Sequence, residues 1–207
     1  MNGAPDILTP MRLVRVIVSV GVFCCCLVGG GQQGAKAPAK TNDSPCGMIY
    51  GKDQSLLLCA PPGWILDNKV LAQQGIYATF YRQAFTYDQA EAGATLMYVN
   101  VKRKVGAAQT AAAMMKLDAT KTKSESPHGV IERAAPIVIP ASKGQKSRTV
   151  PVQRFLNDYG GGFEAVAYIE DERTVTLIVI SSVSKAILGQ DYPSFVKLVQ
   201  SYVAMRG

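Results

Sequence analysis

Histidine is almost missing: His128 is the only one in 207 residues. That excludes multi-histidine zinc sites and the H-E-x-x-H helix. G-x-S-x-G is absent, so no serine nucleophile elbow is present. There is no Walker loop to cradle nucleotide phosphates. No apolar run reaches the roughly 20 residues that a membrane-spanning helix needs. Val16 to Val28 comes nearest and falls short. Tryptophan is scarce too, with Trp64 alone. Cysteine numbers five, but Cys24, Cys25 and Cys26 sit inside that apolar run, which leaves only Cys46 and Cys59 for the rest of the chain.

What is present first suggests export. Arg12 and Arg15 precede the apolar run, and Gly29-Gly30-Gly31 follows it. A positive head, a short apolar stretch and small residues form a secretory signal, placed at 1–31 with cleavage near Gly31–Gln32. Met11 is an alternative start to Met1, since MRLVRV reads as a complete positive head. A lipoprotein anchored through Cys24, Cys25 or Cys26 is the alternative to simple cleavage. Residues 32–45 (QQGAKAPAKTNDSP) have no apolar periodicity and read as a disordered linker, with an Asn42-Asp43-Ser44 glycosylation pattern in it. One domain is then expected over 46–207. The mature form has no transmembrane span, and its expected location is periplasmic or secreted. The formal charge is +7, a modest basic excess that suits solubility and permits anionic surfaces. Nucleic acid is not an expected partner of an exported domain.

Within the domain, Met48–Tyr50 and Ser55–Ala60 predict a hairpin around Gly51–Gln54. Gly75–Arg82 and Ala94–Lys102 are rich in aromatic and β-branched residues and predict strands. Ala107–Thr120 is alanine-rich and predicts a helix. Val130–Pro140 is extended, interrupted by Pro136. Arg148–Leu156, Phe163–Ile169 and Thr174–Ser181, joined by short polar turns, predict an antiparallel meander. Pro193–Met205 predicts an amphipathic helix with Phe195, Leu198, Val199 and Tyr202 at i, i+3, i+4, i+7 and Pro193 in its first turn. Val175–Ile180 (VTLIVI) is apolar throughout, so its strand is expected to be covered on both faces. The fold class expected is α+β. An α/β/α sandwich would hold a largely antiparallel sheet of about six to eight strands, with a helix on each face.

This order of elements, with Pro61-Pro62-Gly63-Trp64 after the opening hairpin, resembles the PsbP-like superfamily. That superfamily includes the extrinsic protein of photosystem II, a Ran-binding nuclear import factor and many small exported bacterial proteins. The resemblance spans Cys46 to Met205. It implies a binding or assembly module rather than a catalyst, and no functional residue carries over from it.

The candidate sites are few. In the hairpin, a turn at Gly51–Gln54 makes paired residues sum to 105, so Cys46 faces Cys59 on a non-hydrogen-bonded pair. Export supplies an oxidising compartment, and two thiols cannot complete a four-ligand metal site, so a structural disulfide is expected and no metal or cofactor. Trp64 is expected to anchor the core. Lys102-Arg103-Lys104 with Lys116, Lys121 and Lys123 is the densest basic cluster; Lys143, Lys146, Arg148 and Arg154 form a second. If they converge, they make an anion- or partner-binding patch; otherwise they are a solvated face. His128 reads as a solvated turn residue. Ser182-Val183-Ser184-Lys185 fits S-x-x-K, but the S-D-N and K-T-G elements of penicillin-recognising enzymes are absent. Gly160–Gly162 reads as a hairpin loop, and Glu170-Asp171-Glu172 as a turn or, alternatively, a cation site. The function expected is an exported, non-catalytic binding or assembly module for a protein or anionic envelope component. The alternatives are an unfamiliar periplasmic hydrolase or small-ligand enzyme, and an envelope structural accessory.

Overall fold

The structure is a computed structural model and describes residues 45–50, 54–93, 95–142, 145–158 and 161–205. The described residues belong to one compact unit. The signal segment, the three adjacent cysteines and the linker before Pro45 lie outside the described residues. So do Lys52 and Asp53 at the hairpin tip, Lys143 and Gly160.

The opening hairpin forms β1 (Cys46–Tyr50) and β2 (Ser55–Cys59). Its register is the one the turn length demands: Tyr50 faces Ser55, Ile49 faces Leu56 and Cys46 faces Cys59. Ala60 N–H donates to the Pro45 carbonyl at 3.0 Å. The 45–60 pair is therefore hydrogen-bonded, which makes the neighbouring 46–59 pair the open one, where backbones approach most closely. The two Cα atoms are 3.9 Å apart and the sulfurs stand at disulfide distance, 2.05 Å.

Pro61-Pro62-Gly63-Trp64 is a turn in which Trp64 N–H donates to the Pro61 carbonyl at 3.0 Å. Pro62 occupies its second position, and Gly63, at φ +80°, its third. That is the type II arrangement, which needs a left-handed residue there. It delivers Trp64, fully buried, as the first residue of β3 (Trp64–Asp67). There follow β4 (Ala78–Arg82), α1 (Tyr87–Gly93), β5 (Thr95–Arg103), α2 (Ala111–Glu125), β6 (Val130–Ile139), β7 (Arg148–Leu156), β8 (Phe163–Glu170), β9 (Thr174–Ser182), α3 (Lys185–Gln200) and β10 (Val203–Met205). The class is α+β. A seven-stranded antiparallel sheet has the order β3-β4-β5-β9-β8-β7-β6. The opening hairpin does not join it. With β10 it makes a separate sheet of order β1-β2-β10.

Several sequence expectations shift. The alanine-rich helix starts at Ala111, because the Thr110 hydroxyl accepts from Ala113 N–H and caps it there. It stops at Ser126, whose successor Pro127 disfavours helical backbone. The strand predicted from Gly75 starts at Ala78, since Gly75, at φ +75°, closes a 3-10 turn at Ala72–Gln74. The C-terminal helix begins eight residues before Pro193, at Lys185, where the Ser184 hydroxyl accepts from Ile187 N–H. Pro193 lies inside it; the carbonyl it leaves without a helical donor belongs to Gly189, which is exposed and can hydrate. The helix ends at Gln200, so Tyr202 is buried beyond it, not on it. Val130–Ile139 is one strand with a bulge between Ala134 and Ile137. Ala135 and Pro136 there oppose Pro151 of β7. Two prolines meet with no N–H to give, and the ladder slips.

Strand β9 is buried at its first seven residues, as a strand covered on both sides should be. Alternate side chains join different groups. Ile178 and Ile180 pack with Met97, Val99, Phe195, Leu198 and Val199. Val175, Leu177 and Val179 pack with Ala111, Met114, Phe155 and Tyr168.

Candidate functional site

The acidic turn after β8 is a junction of the protein's own donors. Glu170 accepts from the Lys104 ammonium at 2.7 Å and from Ala111 N–H, at the start of α2, at 2.8 Å. The Lys104 hydrogen bond first, and the Ala111 N–H second, hold its carboxyl below the ordinary value. Asp171 accepts from the Arg148 guanidinium at 2.8 Å and, through its other oxygen, from Gln54 Nε2 at 2.8 Å and the Tyr202 hydroxyl. Burial, and next the Asp171 charge, push the Tyr202 hydroxyl up. Thr174 donates to Gln54 Oε1. This network ties the small sheet to the large one, and it occupies the carboxylates that could otherwise face a cation.

The basic run is divided by strand alternation, since consecutive residues of β5 point to opposite faces. Lys102, opposite Val175, is half-buried and meets α2. Burial pushes its ammonium down, Asp118 beside it pulls it back up, and Lys121 pushes it down. Asp118 also accepts from the hydroxyl of buried Tyr168 at 2.8 Å. Arg103 is exposed at the strand end. Lys104 is held by Glu170. Lys116 and Lys123 are exposed on α2, and Lys121 pairs with Glu125 at 3.5 Å.

The second basic cluster goes elsewhere. Arg148 lies over the Tyr202 ring at 5.0 Å and Arg154 over the Tyr192 ring at 4.5 Å, while Lys146 is exposed. Arg154 stands with α3 and Lys102 with α2, whereas Lys104 and Arg148 come together at the Glu170–Asp171 turn, Arg148 also donating to the Glu170 carbonyl at 3.1 Å.

An open groove of about 500 Å³ lies between the end of α2 and β6, with Ala119, Lys123, Val130, Glu132, Arg133 and Gln153 on its walls. Val130 is 50% exposed there. His128 is exposed in the adjoining turn. The S-x-x-K residues are taken apart by the fold. Ser182 is buried at the end of β9 near the Thr95 hydroxyl, Ser184 caps α3, and Lys185 is its first residue. Sequence reasoning missed the Arg82–Asp191 ion pair, which links β4 to the buried face of α3. An aspartate on the buried side of a helix is the signal that a partner must exist.

No family model matches the chain, and no curated protein does. Among solved structures, it is similar to cyanobacterial PsbP (CyanoP) from Synechocystis sp. PCC 6803. The TM-score is 0.49 and the identity 11%, covering 84% of this chain and 100% of that one. It is also similar to the Ran-binding protein Mog1p of Saccharomyces cerevisiae, with a TM-score of 0.44 and 10% identity, covering 77% of this chain and 95% of that one. At such identity no site residue passes from either protein to this chain.

Proposed function

We propose that the chain is an exported, non-catalytic binding or assembly module whose contact face is the outer side of α2 with the groove beside β6. The carrying observation is the pair Lys116 and Lys123. Seven residues apart, they project from one side of the helix, about 10 Å from each other along its axis. Both are exposed and have no acidic partner among the described residues. Lys123 borders the groove, whose walls set exposed Val130 beside Glu132, Arg133 and Gln153, and Lys116 stands two turns away on the same side of the helix. Such a face suits an acidic protein surface or an anionic envelope component. An enzyme would instead need titratable groups converging on a concave site. Here the convergent groups, Lys102–Asp118–Tyr168 and Gln54–Asp171–Tyr202, are turned on one another.

The same proposal reads α2 and α3 as covers on opposite faces of the sheet, which makes a three-layer sandwich. Export rests on the leader at 1–31. The Cys46–Cys59 pair at bonding distance is what an oxidising compartment would close. The larger basic patch of Lys102, Arg103, Lys104 and Lys116 contributes through Lys116, since Lys102 is half-buried against α2 and Lys104 is held by Glu170.

The test is a pull-down from envelope extract with the wild-type chain and with Lys116→Glu/Lys123→Glu. Loss of the captured component, with an unchanged unfolding transition, is expected. Equal capture by both proteins would sink the assignment. Anionic vesicles at low and high salt supply a second arm, and binding there should weaken as salt rises.

A further inference from the structure

The small sheet, β1-β2-β10, is apolar on both of its faces. Ile49, Leu56 and Leu58 point inward and are buried. Met48, Tyr50, Leu57, Val203 and Met205 share the outer face, since Met48 pairs with Leu57, Leu57 with Val203, Tyr50 with Ser55 and Ser55 with Met205. Tyr50 is 70% exposed, Met205 39% and Met48 37%. We propose that the free edge of β1, beside this face, takes an extended, uncharged segment of a partner protein as a fourth strand. The site uses none of the residues of the α2 face, so the proposal stands without that reading.

The hairpin register shows which backbone groups are open. The 46–59 pair is the non-hydrogen-bonded one, and pairs alternate along an antiparallel ladder. Gly47 and Ile49 therefore exchange N–H and carbonyl bonds with Leu58 and Leu56. Met48 and Tyr50 turn theirs the other way, off the edge of the sheet. β1 ends the order β1-β2-β10, so no strand among the described residues pairs with that side. An edge is ordinarily guarded by proline, by a bulge or by a charged side chain. Cys46–Tyr50 (CGMIY) has neither proline nor charge, and its register runs without a shift. No charged residue lies in β2 or β10 either. The strand is also firmly seated. Gly47 lies so close to Leu66 of β3 that a Cβ added there would run into the leucine side chain.

The occupant follows from size and from the open groups. Three strands about 4.8 Å apart, with five residues at about 3.4 Å each, make a face of roughly 250 Å². A stable complex of two folded proteins takes about 800 Å² from each, so a second copy seated here is held only weakly. A lipid surface would cover the side chains but leave the Met48 and Tyr50 N–H groups without acceptors. An added strand satisfies both. In antiparallel addition the residue opposite Met48 shares its face and turns its own N–H and carbonyl to β1. Its side chain lies beside Met48, and that of the residue two positions away lies beside Tyr50. The segment that fits is therefore apolar at every second position. Backbone bonds supply its affinity, and those side chains supply the selection.

The experiment adds the acetylated, amidated peptide Thr-Val-Thr-Val-Thr-Val to the full chain and follows amide hydrogen exchange residue by residue. The Met48 and Tyr50 N–H groups are expected to exchange fast in the free chain and at least tenfold more slowly with peptide bound. Those of Gly47 and Ile49, already bonded to β2, should be slow throughout. The same peptide N-methylated at its valines has no N–H for β1 and should bind at least tenfold more weakly. Met48→Pro removes one N–H that the ladder does not use, at an edge where proline is tolerated, and should lose binding by at least tenfold. Met48→Lys keeps that N–H and the fold, sets a charge on the face and should weaken binding as well. Unslowed exchange at Met48 and Tyr50, equal binding of the methylated peptide, or unimpaired binding by either variant would each overturn the proposal. So would slow exchange at these two residues in the free chain. Protection that fades on dilution would assign the edge to a second copy, and protection that persists would assign it to another part of this chain. Slowing by phosphatidylglycerol vesicles but not by peptide would assign the face to lipid and overturn the proposal too.

Discussion

The two groups of buried side chains that meet alternate residues of β9 are unlike. The α3 group contains Trp64, Phe80, Met97, Ile178, Phe195 and Leu198, all fully buried and all apolar. The α2 group is smaller and sets Ala108, Ala111 and Met114 against Phe155 and Tyr168, with the Lys102–Asp118 contact at its margin. The difference begins in the helices. The α3 segment contains Gly189 and Pro193, both poor helix formers, so it persists because its stripe of large residues is buried. The α2 segment is alanine-rich and needs little burial to be helical. It is fastened at points instead: by the Thr110 cap, by Glu170 on Ala111 N–H, and by Asp118 on Tyr168. One helix is held along its length, and the other is tethered. A tethered helix leaves its outer side free of structural duty, and there Lys116 and Lys123 stand.

Truncation should separate the two groups most sharply. Phe195→Ala is expected to cost about 3–5 kcal/mol and Met114→Ala about 2 kcal/mol, read from denaturant unfolding. Equal losses would break the contrast. Next comes the hairpin that α3 leads back to through β10. Cys46→Ser/Cys59→Ser should lose up to about 3 kcal/mol, the chain-entropy value for a loop of this size. Thiol titration of the denatured wild type should count two more groups after reduction if the pair is closed. An unchanged count would show it open. Tyr168→Phe removes one of the α2 tethers and should cost about 1.5 kcal/mol, the range for a hydrogen bond to a charged group. A value near zero would mean that α2 is held by packing after all. The smallest effect concerns Glu170. Its folded carboxyl titrates below its ordinary value, so its contribution is present above about 4.5 and is lost as pH falls through the lowered folded value. Glu170→Gln should flatten that acid-side decline. A decline as steep as in the wild type would remove Glu170 from the list of tethers.

Much of this architecture was legible where local rules decide it. The even loop of the first hairpin set the Cys46–Cys59 register. The polar turns around 157–162 and 170–173 marked the meander, and the unbroken apolar run of β9 announced burial on two sides. Length defeated the rest. Trp64–Asp67 and Val203–Met205 are too short to show alternation, and the second helix turn signal, Pro193, looked like a beginning because proline favours first turns. The division into two sheets depends on β10 returning to β2, a pairing across nearly the whole domain. The candidate site was obscured for the same reason. Lys102, Arg103 and Lys104 look alike as a run, yet Glu170 and Asp118 claim two of them from distant positions. The Gln54–Asp171 bond joins residues 117 apart, and nothing near either residue foretells it.

The bulge of β6 has a consequence for the molecule in company. A sheet that ends in a ten-residue strand presents a template on which another extended chain could nucleate. Here the template is interrupted. Pro136 has no N–H to lend a newcomer, and the slipped register between Ala134 and Ile137 divides the edge into two short runs. At the other end of the sheet, β3 is only four residues long. Both ends are thus poor starting points for interchain growth. Two prolines facing one another across a ladder thus do for the long edge what shortness does for the other.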